Sequence, residues 1–329
     1  MRSAALLLCL LLAGCAPPAD EAGTKPLQIA VIPKGTTHEF WRSIHAGAVK
    51  AERELNQQGT AAEIIWQGPL KEDDRDTQIQ VVENFISRGV NGIVLAPLDS
   101  RALIRPVNSA AAAGIPVVIV DSGLEQGRHE SFVATDNYAG GAKAADYLSS
   151  LLDGEGDVVL LRYAVGSAST EAREAGFLET VEQNHPGLRV VSSTEYAGAT
   201  RETAYRTAQA LLNRFGAAVD GIFAVNESAT IGMTLALREL GRAGGDVAMI
   251  GFDAGSQSIE DLKNGDVQAL VVQDPMRMGY QGVMTLVRVI QGEPVPARID
   301  TGVVLVTPDN VNDPEVQRLL HPPLGEYLD

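Results

Sequence analysis

Between Leu27 and Gln273 the chain alternates short apolar, β-branched runs with segments of helical length, and this alternation limits its fold more than anything else in it. The runs span residues 27–33, 62–66, 92–96, 115–120, 157–162, 188–192, 220–225, 247–252 and 268–273. They are nearly continuous in apolar residues (GIVLA, IPVVIV, DVVLLR) instead of alternating with polar ones. A strand needs that composition when both faces of its sheet are covered, as in a parallel sheet. In the first intervening segment Trp41, Ile44, Ala48, Ala51 and Leu55 recur at offsets of three or four, which is one face of a helix. Thr36, with Glu39 three residues on, reads as a capping box at its start. Strand–helix repeats with right-handed crossovers place helices on both faces of a sheet. Residues 131–137 (SFVATDN) follow no helix and read as a crossover from one lobe to a second. The expected fold class is therefore α/β, with two doubly wound parallel-sheet lobes.

In such sheets ligands sit outside the C-terminal ends of the strands. The first run is followed by Lys34 and then His38, Glu39, Phe40 and Trp41; the fourth by Asp121 and Ser122. The fifth leads to Arg162, Tyr163 and the loop to Arg173, and the last three end at Asn226 and Glu227, at Asp253, and at Gln273. These groups are mixed in charge, with two adjacent aromatics and no cluster of one sign. Hydroxyls donate and accept, so Asp, Asn, Gln and Arg can each hold one or two of them. The apolar face of a sugar ring packs on Trp or Phe, so the pattern suits a sugar or polyol. Plainer roles fit several neighbours. Glu39 reads as a helix cap, EDDRD (residues 72–76) as a solvated loop and helix start, and His45, His185 and His321 as surface residues.

One ordered set of segments carries a resemblance. It comprises His38–Trp41 after the first strand, IPVVIVDS (115–122), FVATDN (132–137), AREAGF (172–177), FAVNE (223–227), MIGFDA (249–254) and LVVQDP (270–275). The set resembles the ribose/galactose-type periplasmic sugar-binding proteins of ABC transporters, and is similar to the effector domain of lac-repressor-type regulators. The resemblance implies the type I periplasmic binding protein fold, a clamp whose lobes are joined by a three-segment hinge. The N-terminal lobe would hold residues 27–133 plus 274–302, the C-terminal lobe 134–273 plus 303–329. It further implies a small-molecule sugar or polyol as ligand, permease subunits of an ABC importer as partners, a monomeric state, and neither cofactor nor catalysis. The family's ligand positions fall on His38, Phe40, Trp41, Asp121, Arg173, Asn226, Asp253 and Gln273, with the two aromatics against the ring and the rest on hydroxyls. Three features depart from ribose-type relatives: Ser122 in place of Arg, His38 in place of Asn, and small residues near 197–200 where the second lobe commonly brings an aromatic. They leave room for a ligand different from, or larger than, ribose. The alternative is a ligand-binding component of a sensory or chemotaxis system for a sugar-like signal.

Residues 4–13 (AALLLCLLLA) form an apolar run of ten, too short for the roughly 20 that span a bilayer but long enough for a signal-peptide core. Leu12-Ala13-Gly14-Cys15 resembles the lipobox of bacterial lipoproteins. This implies a signal peptide over 1–14, a lipidated Cys15 with a Pro-rich tether over 15–26, and an extracytoplasmic, lipid-anchored protein whose only contact with the membrane is the anchor. Cys9 and Cys15 are the only cysteines, and none of the five histidines pairs with another at a metal-ligand spacing, so no metal site is expected. A net charge of −16 opposes nucleic-acid binding. The phosphate loop GxxxxGK[ST], the dinucleotide motif GxGxxG and the nucleophile elbow GxSxG are all missing from the sequence.

Overall fold

The computed structural model describes residues 25–328. The expected signal peptide and the lipid-bearing Cys15 lie outside the described residues. The chain opens with β1 (Leu27–Ile32), α1 (Glu39–Gln57), β2 (Ala62–Trp66), α2 (Arg75–Arg88), β3 (Gly92–Leu95), α3 (Ile104–Ala112), β4 (Val117–Val120) and β5 (Ser131–Ala134). It then crosses to α4 (Asn137–Leu151), β6 (Gly156–Leu161), α5 (Ala168–Asn184), β7 (Leu188–Ser192), α6 (Arg201–Phe215) and β8 (Gly221–Ala224). The same lobe continues with α7 (Glu227–Glu239), β9 (Ala248–Phe252), α8 (Ser256–Asn264) and β10 (Ala269–Gln273). The chain returns to the first lobe in α9 (Pro275–Ile290) and β11 (Arg298–Asp300), crosses a third time into β12 (Val303–Val306), and ends in α10 (Pro314–Leu320) and α11 (Leu324–Leu328).

Two six-stranded sheets result, ordered β11-β5-β4-β3-β1-β2 and β12-β10-β9-β8-β6-β7. Every pairing is parallel except that of β12, which runs antiparallel to β10. The apolar runs explain themselves here. In β1, Ile29 and Val31 enter one core layer while Ala30 and Ile32 enter the layer on the other face. In β6, Val159 and Leu161 face one layer, Val158 and Leu160 the other. A polar residue at any of these positions would sit in a dry helix–sheet interface.

Three elements were not expected as strands. Residues 131–137 begin as β5, and β11 and β12 lie in the outermost position of each sheet. Edge strands need no continuous apolar run, because one side remains open; Arg298, Asp300 and Val304 are exposed. The capping box at α1 does not form. His38 is the N-cap, no side chain caps the helix, and the Glu39 carboxylate turns instead to Ser256 in the second lobe. The last helix also leaves the lobe expected for residues 303–329. It packs on α1, where Arg53 donates to the carbonyls of Glu326 at 2.7 Å and Tyr327 at 3.4 Å.

Reciprocal glycines set the helix pairs that aim the site. A Cβ on Gly47 would lie 2.0 Å from the Met276 carbonyl oxygen, and one on Gly279 would lie 2.0 Å from that of Ile44, so α1 and α9 touch backbone to backbone. In the second lobe a Cβ on Gly141 would meet the Arg173 carbonyl oxygen at 1.9 Å, which brings α4 and α5 together in the same way.

Candidate functional site

The strand ends of both sheets open toward each other, and the space between them is one cavity lined by Lys34, His38, Phe40, Trp41, Glu72, Asp121, Tyr163, Ser169, Thr170, Arg173, Asn226, Glu227, Asp253 and Gln273. All eight residues that the resemblance put at the ligand are among them. The first lobe brings two aromatics. The start of α1 presents Phe40 and Trp41, their rings edge to face at 4.9 Å between centroids. Trp41 is also core, at 2% exposure, so one ring both lines the cavity and packs the lobe.

One carboxylate of the first lobe does not lie in the solvated loop expected of it. Glu72 is buried and accepts hydrogen bonds from Trp41 Nε1 at 2.6 Å and from the Tyr163 hydroxyl at 2.6 Å, and it pairs with His38 Nδ1. Burial alone would depress the His38 imidazole, but the charge and hydrogen bond of Glu72 outweigh it and raise His38 to about 9. Burial likewise pushes the Glu72 carboxyl up, while His38 and the Tyr163 hydroxyl together pull it down to about 2. The imidazolium–carboxylate pair is thus a fixed feature of the wall at neutral pH. Its two members stand 34 positions apart in sequence, and only the fold joins them. Tyr163 is the aromatic that the second lobe brings to the cavity; Ala197 and Ala199 are buried in core layers.

Lys34 reaches across the gap. Its Nζ lies 3.1 Å from Asp121 in its own lobe and donates to Ser167 Oγ at 3.2 Å and Ser169 Oγ at 3.1 Å in the other. Ser122 accepts from the Ser169 backbone N–H at 3.1 Å. With Glu39 on Ser256, and the Phe40 N–H on Glu227 at 3.3 Å, these bonds hold the two lobes shut on one another.

In the second lobe Arg173 is nearly fully buried. It donates to Asn137 Oδ1 and the Val225 carbonyl, each at 2.8 Å, and its guanidinium lies 3.7 Å from the Phe252 ring centre. Asn226 caps α7, accepting from the Ala229 N–H at 3.1 Å while it lines the cavity, so the cap and the lining position are one side chain. Asp253 accepts from the Gln273 amide at 2.7 Å and from the Glu227 N–H at 3.3 Å. Burial raises its carboxyl to about 6 against the pull of Arg173, which stands 3.9 Å away. Among the described residues, the Gln273 carbonyl oxygen Oε1 is buried without a hydrogen-bond partner.

Each charged group is thereby matched within the protein: Lys34 with Asp121, His38 with Glu72, Arg173 with Asp253, and Arg201 with Glu227 at 3.0 Å. An anion entering this cavity would bring a buried charge with no free counter-charge, which costs several kcal/mol. Free volume is about 30 Å³, so a ring is admitted only as the lobes part. A wider cleft of about 720 Å³ lies at the hinge, lined by residues such as Met276, Arg277 and Arg318, away from the convergent polar groups.

Residues 29–294 match the family model of the periplasmic binding protein domain. The ribose import binding protein of Bacillus subtilis is 28% identical over 292 residues, 89% of this chain and 91% of its own length. A D-ribose/D-allose-binding protein of Pseudomonas aeruginosa is 30% identical over 86% of this chain and 88% of its own. Among solved structures, a carbohydrate transporter solute-binding protein from Agrobacterium radiobacter in complex with D-arabinose superposes with a TM-score of 0.86 at 35% identity, covering 91% of this chain and 100% of that one. An ABC transporter solute-binding protein from Agrobacterium vitis with bound D-fucose gives 0.84 at 36% identity over 89% and 100%.

Proposed function

Because the chain belongs to the periplasmic binding protein family, we propose that it captures a neutral monosaccharide or related polyol outside the cytoplasm and delivers it to the permease of an ABC importer. The observation that carries the reading is the cavity itself: side chains of both lobes and the hinge converge on one space whose charges are already paired. Relatives named for ribose and allose, and solved neighbours holding arabinose and fucose, point to the same ligand class. The sugar enters with the lobes apart. Phe40 and Trp41 take its apolar face, Asp121, His38 and Lys34 bond it from one side, and Arg173, Asn226, Asp253 and Gln273 from the other. The full set of bonds exists only when the lobes meet, so the ligand shifts the population toward closure. Two lobe surfaces brought into fixed register then give the permease something to recognise. The protein works as a monomer, tethered through a lipid on Cys15.

A thermal-shift screen against pentoses, hexoses and polyols tests the ligand class. A ligand bound only by the native state raises the melting temperature, by an amount that grows with concentration over Kd. If no neutral sugar or polyol does so while a sugar acid or phosphate does, the reading fails. Cys15→Ser tests the anchor: the variant is expected in the soluble fraction, and its persistence in membranes would count against lipidation.

A further inference from the structure

A second chamber adjoins the ligand cavity and shares Phe40, Glu227, Asp253 and Gln273 with it. Its volume is about 400 Å³, against about 30 Å³ for the cavity below. The C-terminal segment roofs it, with Leu320, Pro322 and Leu324 contributing apolar surface. That roof is tied down on the first lobe: Arg53 holds the carbonyls of Glu326 and Tyr327, and its guanidinium lies 5.2 Å from the Tyr327 ring centre.

One side chain common to the two spaces lacks a donor. Gln273 is 2% exposed and lines both; its Nε2 is spent on Asp253, and among the described residues its buried Oε1 has no hydrogen-bond partner. A buried acceptor left unpaired costs about 1–3 kcal/mol, which a ligand hydroxyl reaching Gln273 as the lobes close would recover. The remaining polar lining is Glu39, Glu227 and Asp253 with Ser43, Ser256 and His321; three carboxyl groups against a single imidazole disfavour an anionic group there. The other walls are the Phe40 ring and the aliphatic and prolyl surface of the roof, which suit a flat apolar face.

We propose that the ligand is longer than one ring: a neutral glycoside whose sugar occupies the interlobe cavity and whose linked second ring lies in the chamber under the C-terminal segment. The inference rests on the sugar-binding reading above and extends it to the substrate's size and shape.

Calorimetry with free D-arabinose, D-fucose, D-allose and D-galactose, set against the methyl and phenyl glycosides of each, tests it. At least one phenyl glycoside should bind about tenfold more tightly than its parent sugar, the gain expected from covering one apolar ring. Leu324→Trp, which fills the roof without touching the lower cavity, should erase that gain and leave the parent sugar's affinity as it was. Free sugars that bind as well as or better than every phenyl glycoside, or a gain that survives Leu324→Trp, would overturn the chamber while leaving the sugar-binding reading intact. Failure of every sugar and every glycoside to bind would remove both.

Discussion

Asp121 and Asp253 occupy equivalent places in the two lobes, and the way they differ explains how the cleft divides its labour. Each follows the fourth strand of its sheet, β4 or β9. Each has a left-handed backbone, φ 62° and 71°, and each donates its N–H to the neighbouring strand, to Val133 O at 3.1 Å and Val271 O at 2.9 Å. For a residue other than glycine that conformation costs on the order of 1–3 kcal/mol, and it aims a carboxylate into the gap. There the likeness ends. Asp121 has a lysine at 3.1 Å; Asp253 has its arginine only at 3.9 Å and is pushed up to about 6 by burial. The first lobe therefore offers aromatics and a wall already neutralised. The second offers a buried carboxylate bonded to the Gln273 amide and the Glu227 N–H, with its cation beyond hydrogen-bond distance.

The cations that serve these two aspartates give the strongest way to break the comparison. All of Arg173's hydrogen-bond partners lie in its own lobe and stay with it when the cleft opens. Arg173→Ala leaves Asp253 without its cation and two further acceptors without their donor, and should destabilise the protein by about 2–3 kcal/mol in denaturant unfolding while abolishing sugar binding. Lys34 draws two of its three partners from across the gap, so water replaces them on opening. Lys34→Ala should cost stability only about 1 kcal/mol and act mainly on affinity. Equal losses of stability in the two variants would mean that the lobes are not built differently.

The alternation of apolar runs was enough to read two wound sheets, because strands buried on both faces leave no room for polar residues. The edge strands β11 and β12 escaped it for the converse reason, and the inner strand β5 because its apolar run is only Phe132, Val133 and Ala134. Site residues were readable where function and position coincide: Asp121, Asn226, Asp253 and Gln273 stand at or just beyond strand ends, and Phe40 and Trp41 at a helix start. Glu72 was hidden because an acid beside Asp73 and Asp74 looks like any solvated charge run. What sets it apart is three donors from α1 and β6's far end, which no local pattern records. One signal was available, and it lay with His38: an imidazole at a strand end beside the cleft needs a partner for its ring N–H, and a carboxylate is the strongest one.

That pair offers the next test, since it joins the first lobe to the second through Tyr163. Glu72→Gln removes the charge that Trp41, His38 and Tyr163 all share, and should cost about 2 kcal/mol in stability, with a matching loss of sugar affinity. Tyr163→Phe removes only the bond across the gap. Its cost, about 1 kcal/mol, should fall on closure, seen as weaker binding at nearly unchanged melting temperature. A melting temperature that falls as far for Tyr163→Phe as for Glu72→Gln would make the tyrosine a pillar of its own lobe and not a clasp.

The smallest effect to look for is the titration of Asp253. Asp253 has a folded pKa raised from an ordinary 3.8 to about 6 by burial. A carboxyl raised in the folded state favours folding while it is protonated, so its contribution is present below the unfolded value and is lost as pH rises through about 6. Water reaches this wall when the lobes part, so the effect should be modest, about 1 kcal/mol between pH 4 and 7. Asp253→Asn cannot titrate. Its unfolding free energy should therefore lack this decline with pH, whereas Asp121→Asn should keep it. Sugar affinity should run the opposite way: the ionised Asp253 is the better acceptor for ligand hydroxyls, so wild-type affinity should rise from pH 5 to 7, and the Asp253→Asn profile should be flat. A slope that vanishes in Asp121→Asn and persists in Asp253→Asn would reverse the roles of the two walls.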